Sequence, residues 1–437
     1  MTVPSGFVEG FRIAAPYIHG HRGRTFVLMV GGEAATEAGF DRLMYDIALV
    51  HALGVRVVLV HGTRPQIEKR LKERRIPSRF VNETRITDRA TLACVHEAVG
   101  AARARFTAML SMGAANTPMA GARIRVADGN FITARPLGVR GGVDFLFTGE
   151  VRRVDVEGIE RQLASGALVL ISPVGVSPTG ETFNLESHDV ARAVAVALGA
   201  DKLIGLIDGR GALDARRRLI PQLTPARAEE LAKKKSLNTP DVRKHLKAAA
   251  EAVRAGVRRA HLVDRRRDGA LLTELFTREG EGTLVTSETY EDMRPARLED
   301  IAPLSALLRP LEDEGILVRR SRERLEMEVD RFTVVERDGM IIGCAALEPF
   351  PEEKMGELYC VAIHERYRKS GRGEALLEYM QARAKAAGLE RVFVLTTRSA
   401  HFFQERGFTP ASVRALPARR RATYDRTRRS RVLVKQL

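Results

Sequence analysis

Four short, almost wholly apolar runs constrain this chain most: 25–30 (TFVLMV), 55–60 (VRVVLV), 167–174 (ALVLISPV) and 202–207 (KLIGLI). Runs of this length and composition read as buried strands. Helical patterns stand between them at 36–53, from 65 onward, and at 87–109, 187–198, 225–235 and 240–255. Short strands with glycine turns fill 121–147. A strand at 260–263, a helix at 270–276 and a strand at 283–286 follow. Strands alternating with helices imply an α/β domain on a parallel sheet. A short amphipathic helix at 6–19, carrying Phe7, Phe11, Ala14, Ala15 and Ile18, precedes the first strand, with Pro16 expected to disturb its end. Residues 287–292 are polar and lack periodicity, which sets a domain boundary there.

Beyond that boundary, 357–373 reads as a strand (LYCVAI), a charged segment, and then Arg368, Lys369, Ser370, Gly371, Arg372 and Gly373. Ala375, Leu376, Leu377, Met380 and Ala384 then recur at helical spacing. A strand, a basic glycine-rich turn and a helix start make an anion cradle, because the first amides of a helix point free N–H groups outward and its dipole favours negative charge. The pattern R-x-x-G-x-G after such a strand resembles the acetyl-CoA pyrophosphate loop of the GCN5-related N-acetyltransferases (GNAT). The flanks fit: a first strand and helix start at Met293–Pro295 and Glu299–Ile301, a hairpin over 332–348 turning at Asp338-Gly339, a strand at 391–396, and a late helix ending in a Gly-Phe turn at 400–408.

Residues 24–286 resemble the amino-acid kinase family, in its acetylglutamate kinase branch. The matching pieces are Gly31-Gly32, His61-Gly62 with Pro65, Asn184 with Asp189, the run Ala200 to Leu203, and the run Glu274 to Thr283. Two departures point to a retired kinase. Met29 stands where those kinases carry a lysine that stabilises the transferred phosphoryl group, and bulky Arg64 stands where bare backbone should meet phosphate. The whole chain therefore resembles the bacterial N-acetylglutamate synthases. The resemblance implies an amino-acid-kinase-like αβα sandwich with a mainly parallel sheet, then a GNAT α+β domain with a mixed sheet. The divisions are 1–23 (helix), 24–286 (regulatory domain), 287–292 (linker) and 293–437 (transferase). It also implies acetyl transfer from acetyl-CoA to the α-amine of L-glutamate at the first step of arginine biosynthesis, with L-arginine as inhibitor.

That chemistry needs a base for the ammonium, a donor for the thioester oxygen, a partner for the leaving thiolate and cations for the glutamate carboxylates. Glu357, opening the central strand, is the expected base, directly or through water; a solvated strand-end acid is the plain alternative. A backbone N–H near Cys360 and Val361 is the expected carbonyl donor, with the Cys360 thiol simply packed. Many relatives place a tyrosine where Phe402 and Phe403 stand here, and neither has a proton to give. Thr396 or Thr397 could supply a hydroxyl, and Thr396 is preferred by resemblance. Guanidinium groups match carboxylates in pairs of hydrogen bonds, which points to Arg319 or Arg320 and to Arg428, Arg429 and Ser430. Arg320, Arg428 and Ser430 are the choices. Arg419, Arg420 and Arg421 read as a solvated charge run. For arginine, the resemblance points to Tyr17, Lys202, Glu274 and Gly280.

The net charge is +16, concentrated at 210–267, with 17 Lys and Arg against 6 Asp and Glu, and at 414–435, with 9 against 1. The first stretch has no Phe, Tyr or Trp on which bases could stack, so specific nucleic-acid binding is not expected. The alternatives to the synthase are a bifunctional enzyme with a live kinase and a basic polyanion-binding protein. Three scattered cysteines suggest a reducing compartment. With no signal pattern and no membrane-length apolar run, a cytoplasmic location is expected. The ten histidines are dispersed, and the only close pair, His19 and His21, lacks a third ligand, so no metal is expected. A homo-oligomer is expected, for instance a hexamer, with the amino-terminal helix as pairing device.

Overall fold

The computed structural model describes residues 5–112, 123–287, 291–337, 340–368 and 371–437. The chain divides into two compact units, Met1–Glu288 and Thr289–Leu437. In the first, the apolar runs become adjacent strands: Leu168–Ile171, Arg56–His61, Thr25–Val30, Lys202–Ile207 and Arg259–Asp264, all parallel. Thr25–Val30 and Lys202–Ile207 are buried along their whole length, because helices cover both faces of the sheet. Thr283–Val285 joins this eight-stranded sheet antiparallel to Arg259–Asp264, so the sheet is mainly rather than wholly parallel.

Three features of this unit depart from the sequence expectation. The first helix, Ser5–His21, runs straight through Pro16. The helix expected from 36 begins at Phe40, after a 3-10 turn at Ala34–Thr36 and a left-handed Gly39. A second, four-stranded sheet of Ile132–Pro136, Gly149–Val154, Val174–Val176 and Thr182–Asn184 flanks the main one.

Asp46, on the helix Phe40–Ala52, is buried. Burial, with repulsion from Asp268, pushes its carboxyl up to about 6. The folded pKa lies above the unfolded value, so the fold favours the protonated form. That stabilisation is full at low pH and is lost as pH rises through about 6. Asp46→Asn is therefore expected to raise stability at pH 8 by about 1–2 kcal/mol, a few degrees in Tm, and to change it little at pH 4. Thermal melts at the two pH values check this; an equal shift at both would refute it.

The second unit is a seven-stranded mixed sheet in the order Glu291–Pro295, Phe332–Arg337, Met340–Phe350, Met355–Ile363, Arg391–Thr396, Arg431–Gln436, Thr409–Ala411. Among the described residues the one parallel pair is Met355–Ile363 with Arg391–Thr396. Alternation along the strands sorts side chains to two cores. Phe332, Val334, Cys344 and Ala346 meet the helix Ile301–Asp313 on one face, while Val335, Ala345, Leu347 and Leu358 meet the helix Arg372–Ala386 on the other. The Asp338-Gly339 turn lies outside the described residues.

Candidate active site

The parallel pairing of the two central strands runs through Met355–Arg391, Gly356–Val392 and Glu357–Phe393 and, among the described residues, goes no further. Beyond it the strands part. The cause is local: the register against Met340–Phe350 shifts between Cys344 and Ala346, and opposite that shift Cys360 adopts φ +49°. A bulge of this kind bends its strand and re-aims its backbone groups. The wedge so opened is bordered by Leu358–Ile363 on one side and the end of Arg391–Thr396 on the other.

Glu357 sits at the closed end of the wedge. The sequence placed it at the opening of the strand, with a solvated strand-end acid as the plain alternative; it is the third residue of Met355–Ile363 and only 7% exposed. Its carboxylate is gripped by Arg420, Nε to Oε2 at 2.5 Å and Nη2 to Oε1 at 3.1 Å. Arg420 was expected in a solvated run and is not: it projects from the short helix Ala418–Ala422 and supplies the counter-charge. The paired guanidinium bonds use two of the four acceptor positions of the carboxylate, leaving two for an ammonium or a water.

The Cys360 thiol is buried and pushed up to about 12 by desolvation, so it is inert as a nucleophile at neutral pH. Its carbonyl accepts a weak bond from Cys344 Sγ at 3.4 Å, and Val361 packs toward the Arg372–Ala386 helix. Thr396 ends its strand opposite Arg431. Its Oγ1 accepts the Ser399 N–H at 2.9 Å, which directs its own O–H proton away from that turn.

At the cradle, Gly371 caps the helix Arg372–Ala386 in the left-handed conformation, φ +80°, which a glycine adopts without strain. Among the described residues no side chain caps this helix start. Arg368 is exposed and donates Nε to the Ile363 carbonyl at 3.2 Å, and Arg372 stacks 5.5 Å from the Tyr367 ring. A Cβ at Gly373 would come within 3.3 Å of the Phe402 ring, so glycine lets the late helix approach. Lys369 and Ser370 lie outside the described residues.

Arg320 lies over the Tyr359 ring at 5.0 Å, with Nη1 on the Val318 carbonyl at 3.1 Å and Nε 3.8 Å from Glu328. Its Nε is buried and, among the described residues, makes no hydrogen bond. Tyr359 is two residues from Glu357, so the Arg320 platform and the expected base share one strand face. Arg428 donates to the carbonyls of Gly315 and Ile316 at 3.0 and 3.1 Å, tying the basic tail to the segment that carries Arg320. Ser430 accepts the Tyr424 hydroxyl at its carbonyl, 2.6 Å, just before the strand that pairs with Thr396. The structure therefore sets Glu357 and Thr396 on the two strands that border the wedge and Arg320 on the Tyr359 ring of the same strand as Glu357, while Arg428 and Ser430 are tied through backbone carbonyls to residues 315–316 and to Tyr424. The sequence reading missed Arg420 and Tyr359.

In the first unit, Lys202, Glu274 and Gly280 also converge, through a residue the sequence did not single out. Lys202 Nζ lies 3.2 Å from His261 Nε2, and His261 Nδ1 lies 2.6 Å from Glu274 Oε1. With an ammonium at Nε2, the ring proton sits on Nδ1 and is donated to Glu274. Burial opposes the Glu274 carboxylate, but His261 and the N–H groups of Glu281 and Gly282 outweigh it and hold its pKa at about 2. Gly280, at φ +62°, leaves room for that carboxylate. His21 of the first helix donates Nε2–H to the Leu275 carbonyl at this cluster's edge, 2.8 Å, and burial with Lys202 nearby lowers its pKa to about 4. The Tyr17 and His21 rings lie 6.3 Å apart.

Comparison with known proteins adds to this geometry. Residues 24–264 match the amino acid kinase family and residues 299–408 the acetyltransferase (GNAT) family. Amino-acid acetyltransferase of Azotobacter vinelandii is 53% identical over 99% of both chains, and that of Serratia proteamaculans 50% identical over 98% of both. The chain belongs to the amino-acid acetyltransferase (N-acetylglutamate synthase) family. Among solved structures of this family, N-acetylglutamate synthase of Neisseria gonorrhoeae complexed with coenzyme A and L-arginine is 36% identical, with TM-score 0.87 over 99% of both chains. The same enzyme complexed with coenzyme A and N-acetyl-glutamate is 37% identical, with TM-score 0.63 over 99% of both. Among the described residues of this acetyltransferase, no helix is long and apolar enough to cross a membrane.

Proposed function

We propose that the chain transfers the acetyl group of acetyl-CoA to the α-amine of L-glutamate, opening arginine biosynthesis, and that L-arginine inhibits it through the kinase-like domain. The observation that carries this reading is the wedge, with a carboxylate at its closed end and a stacked arginine on the same strand face. The coenzyme diphosphate would lie on Gly371, Arg372, Gly373 and Arg368, with Lys369 and Ser370 completing the loop. Glutamate would be held by Arg320, Arg428 and Ser430.

Glu357 takes a proton from the glutamate ammonium, directly or through water. The freed amine attacks the thioester carbonyl, whose oxygen takes up the electron pair and is met by a backbone N–H near Val361. Collapse re-forms the carbonyl and breaks the C–S bond. The thiolate leaves against the Thr396 hydroxyl and takes up the second amine proton by way of solvent, while Glu357 releases the first proton to solvent. Family resemblance and the convergence of Tyr17, Lys202, His261, Glu274 and Gly280 support an amino-acid effector at the base of the first helix. The exposed Phe7, Val8, Phe11 and Ile13 of that helix support pairing between copies, and so a homo-oligomer. The transferase is read as 293–437 and the regulatory unit as 24–286. A cytoplasmic setting suits the three free thiols.

A panel of amino acids with acetyl-CoA, with and without arginine, tests the reading. Thiol release is expected with L-glutamate and not with the others, falling as arginine is added. Glu274→Gln is expected to raise the half-inhibitory arginine concentration about tenfold or more, the loss of one charged hydrogen bond. Turnover independent of glutamate, or inhibition unmoved in the variant, would contradict the respective halves of the proposal.

A further inference from the structure

The position emptied of its kinase lysine is not inert. Met29 faces a small buried cavity that is also lined by His188, Gly205, His245 and His261. His188 stands in the first turn of the helix Ser187–Ala197. Asp241 and His245 stand four residues apart, on one face of Pro240–Arg254. The donor atoms of His188, Asp241 and His245 all lie within 4.8 Å of one another.

These groups do not satisfy each other. His188 Nε2 is 3.6 Å and His245 Nε2 3.7 Å from the same Asp241 oxygen, too long for N–H to O bonds. Both nitrogens are buried and, among the described residues, make no hydrogen bond. His245 is 5% exposed and His188 9%. Two buried orphan nitrogens sharing one carboxylate are costly as they stand. A tetrahedral centre with donors at 2.0–2.1 Å needs them about 3.3 Å apart, so the two histidine–Asp241 spacings of 3.6 and 3.7 Å close by a few tenths of an ångström and the two rings, whose donors lie within 4.8 Å, draw together by up to about 1.5 Å.

The surroundings match a ligated imidazole. The other nitrogen of His188, Nδ1, faces Glu186 at 3.5 Å without a hydrogen bond among the described residues, and Lys244 holds that carboxylate at 2.7 Å, in the place where a small shift of the ring would give a metal-binding histidine its carboxylate support. Asp241 Oδ2 accepts the Asp208 N–H at 3.3 Å, leaving Oδ1 toward both rings. A Cβ on Gly205 would stand 2.3 Å from His245 Nδ1, so the ring needs a glycine beneath it. His188 also borders a larger cleft with Glu186, Asp189 and Lys244, which gives an ion a path in.

We infer that His188, Asp241 and His245 bind a zinc-like divalent cation, cross-linking two helices of the kinase-like domain and leaving a fourth position for water or an anionic group from the cleft. Spread over 58 positions of sequence, the three ligands form no spacing motif that a reading of the chain could use.

The test uses the full-length chain, stripped with chelator and titrated with Zn2+ and with Co2+. One equivalent of zinc per chain and the visible ligand-field spectrum of four-coordinate cobalt are expected. Asp241→Asn, which keeps the side-chain shape, and the double variant His188→Ala/His245→Ala should each weaken uptake at least tenfold and lose the cobalt spectrum. Circular dichroism reports their folding. Should the double variant unfold, Asp241→Asn and the wild-type spectrum still decide. Failure of the folded wild type to take up either ion, or uptake equal in wild type and Asp241→Asn, would overturn the assignment.

Discussion

Glu357→Gln is expected to lower kcat by about 10²–10⁴-fold, the usual contribution of a positioned general base, with little change in KM for either substrate. The amide is the same size and still reaches Arg420, so the wedge should keep its shape. The Arg420 side chain is 26% exposed, and the guanidinium left without its carboxylate can turn to water rather than stay buried and unpaired. A second readout separates chemistry from structure. Without its base the variant depends on glutamate molecules that have already lost their amine proton. Its rate should therefore climb with pH well beyond the range where the wild type levels off. Steady-state kinetics from neutral to alkaline pH check this. A variant within fivefold of wild type at neutral pH, or one slowed equally at all pH values, would mean that Glu357 serves only to anchor Arg420.

Arg320→Met is expected to raise KM for L-glutamate about 100-fold and to leave KM for acetyl-CoA within twofold. The loss corresponds to about 2.7 kcal/mol, within the range for breaking a charged pair of hydrogen bonds. The case rests on a guanidinium held in place by the Tyr359 ring and the Val318 carbonyl while its buried Nε makes no hydrogen bond among the described residues. Arg320→Lys should recover little of the loss. An ammonium neither stacks flat on the ring nor offers two parallel donors. Initial rates across a glutamate series decide it, and a KM shift below threefold would remove Arg320 from the substrate site.

Long-range pairing marks the limit of what could be read from the chain. The buried strands were legible because their residues are apolar throughout, and the cradle because glycine and arginine cluster within six positions. Glu357 and Thr396 were reachable through strand ends. Arg420 was not, since nothing local distinguishes it from Arg419 and Arg421; its partner is 63 residues away. His261 sits in a strand of buried side chains and reads as packing until Lys202 and Glu274 arrive on either side. The second sheet of the first unit was hidden because strands such as Ile132–Pro136 mix buried and exposed positions without a clean alternation. Pro16 misled because its missing N–H matters less when the helix has solvent on one side to satisfy the freed carbonyl.

The parting of the two central strands gives the second unit a sheet edge in its interior. An ordinary edge is guarded by charge, proline or a covering loop. This one begins where the strand bends at the Cys360 bulge. Backbone groups along such an edge pair with an extended neighbour at the rise of a strand, so a chain-like shape matches it better than a compact one.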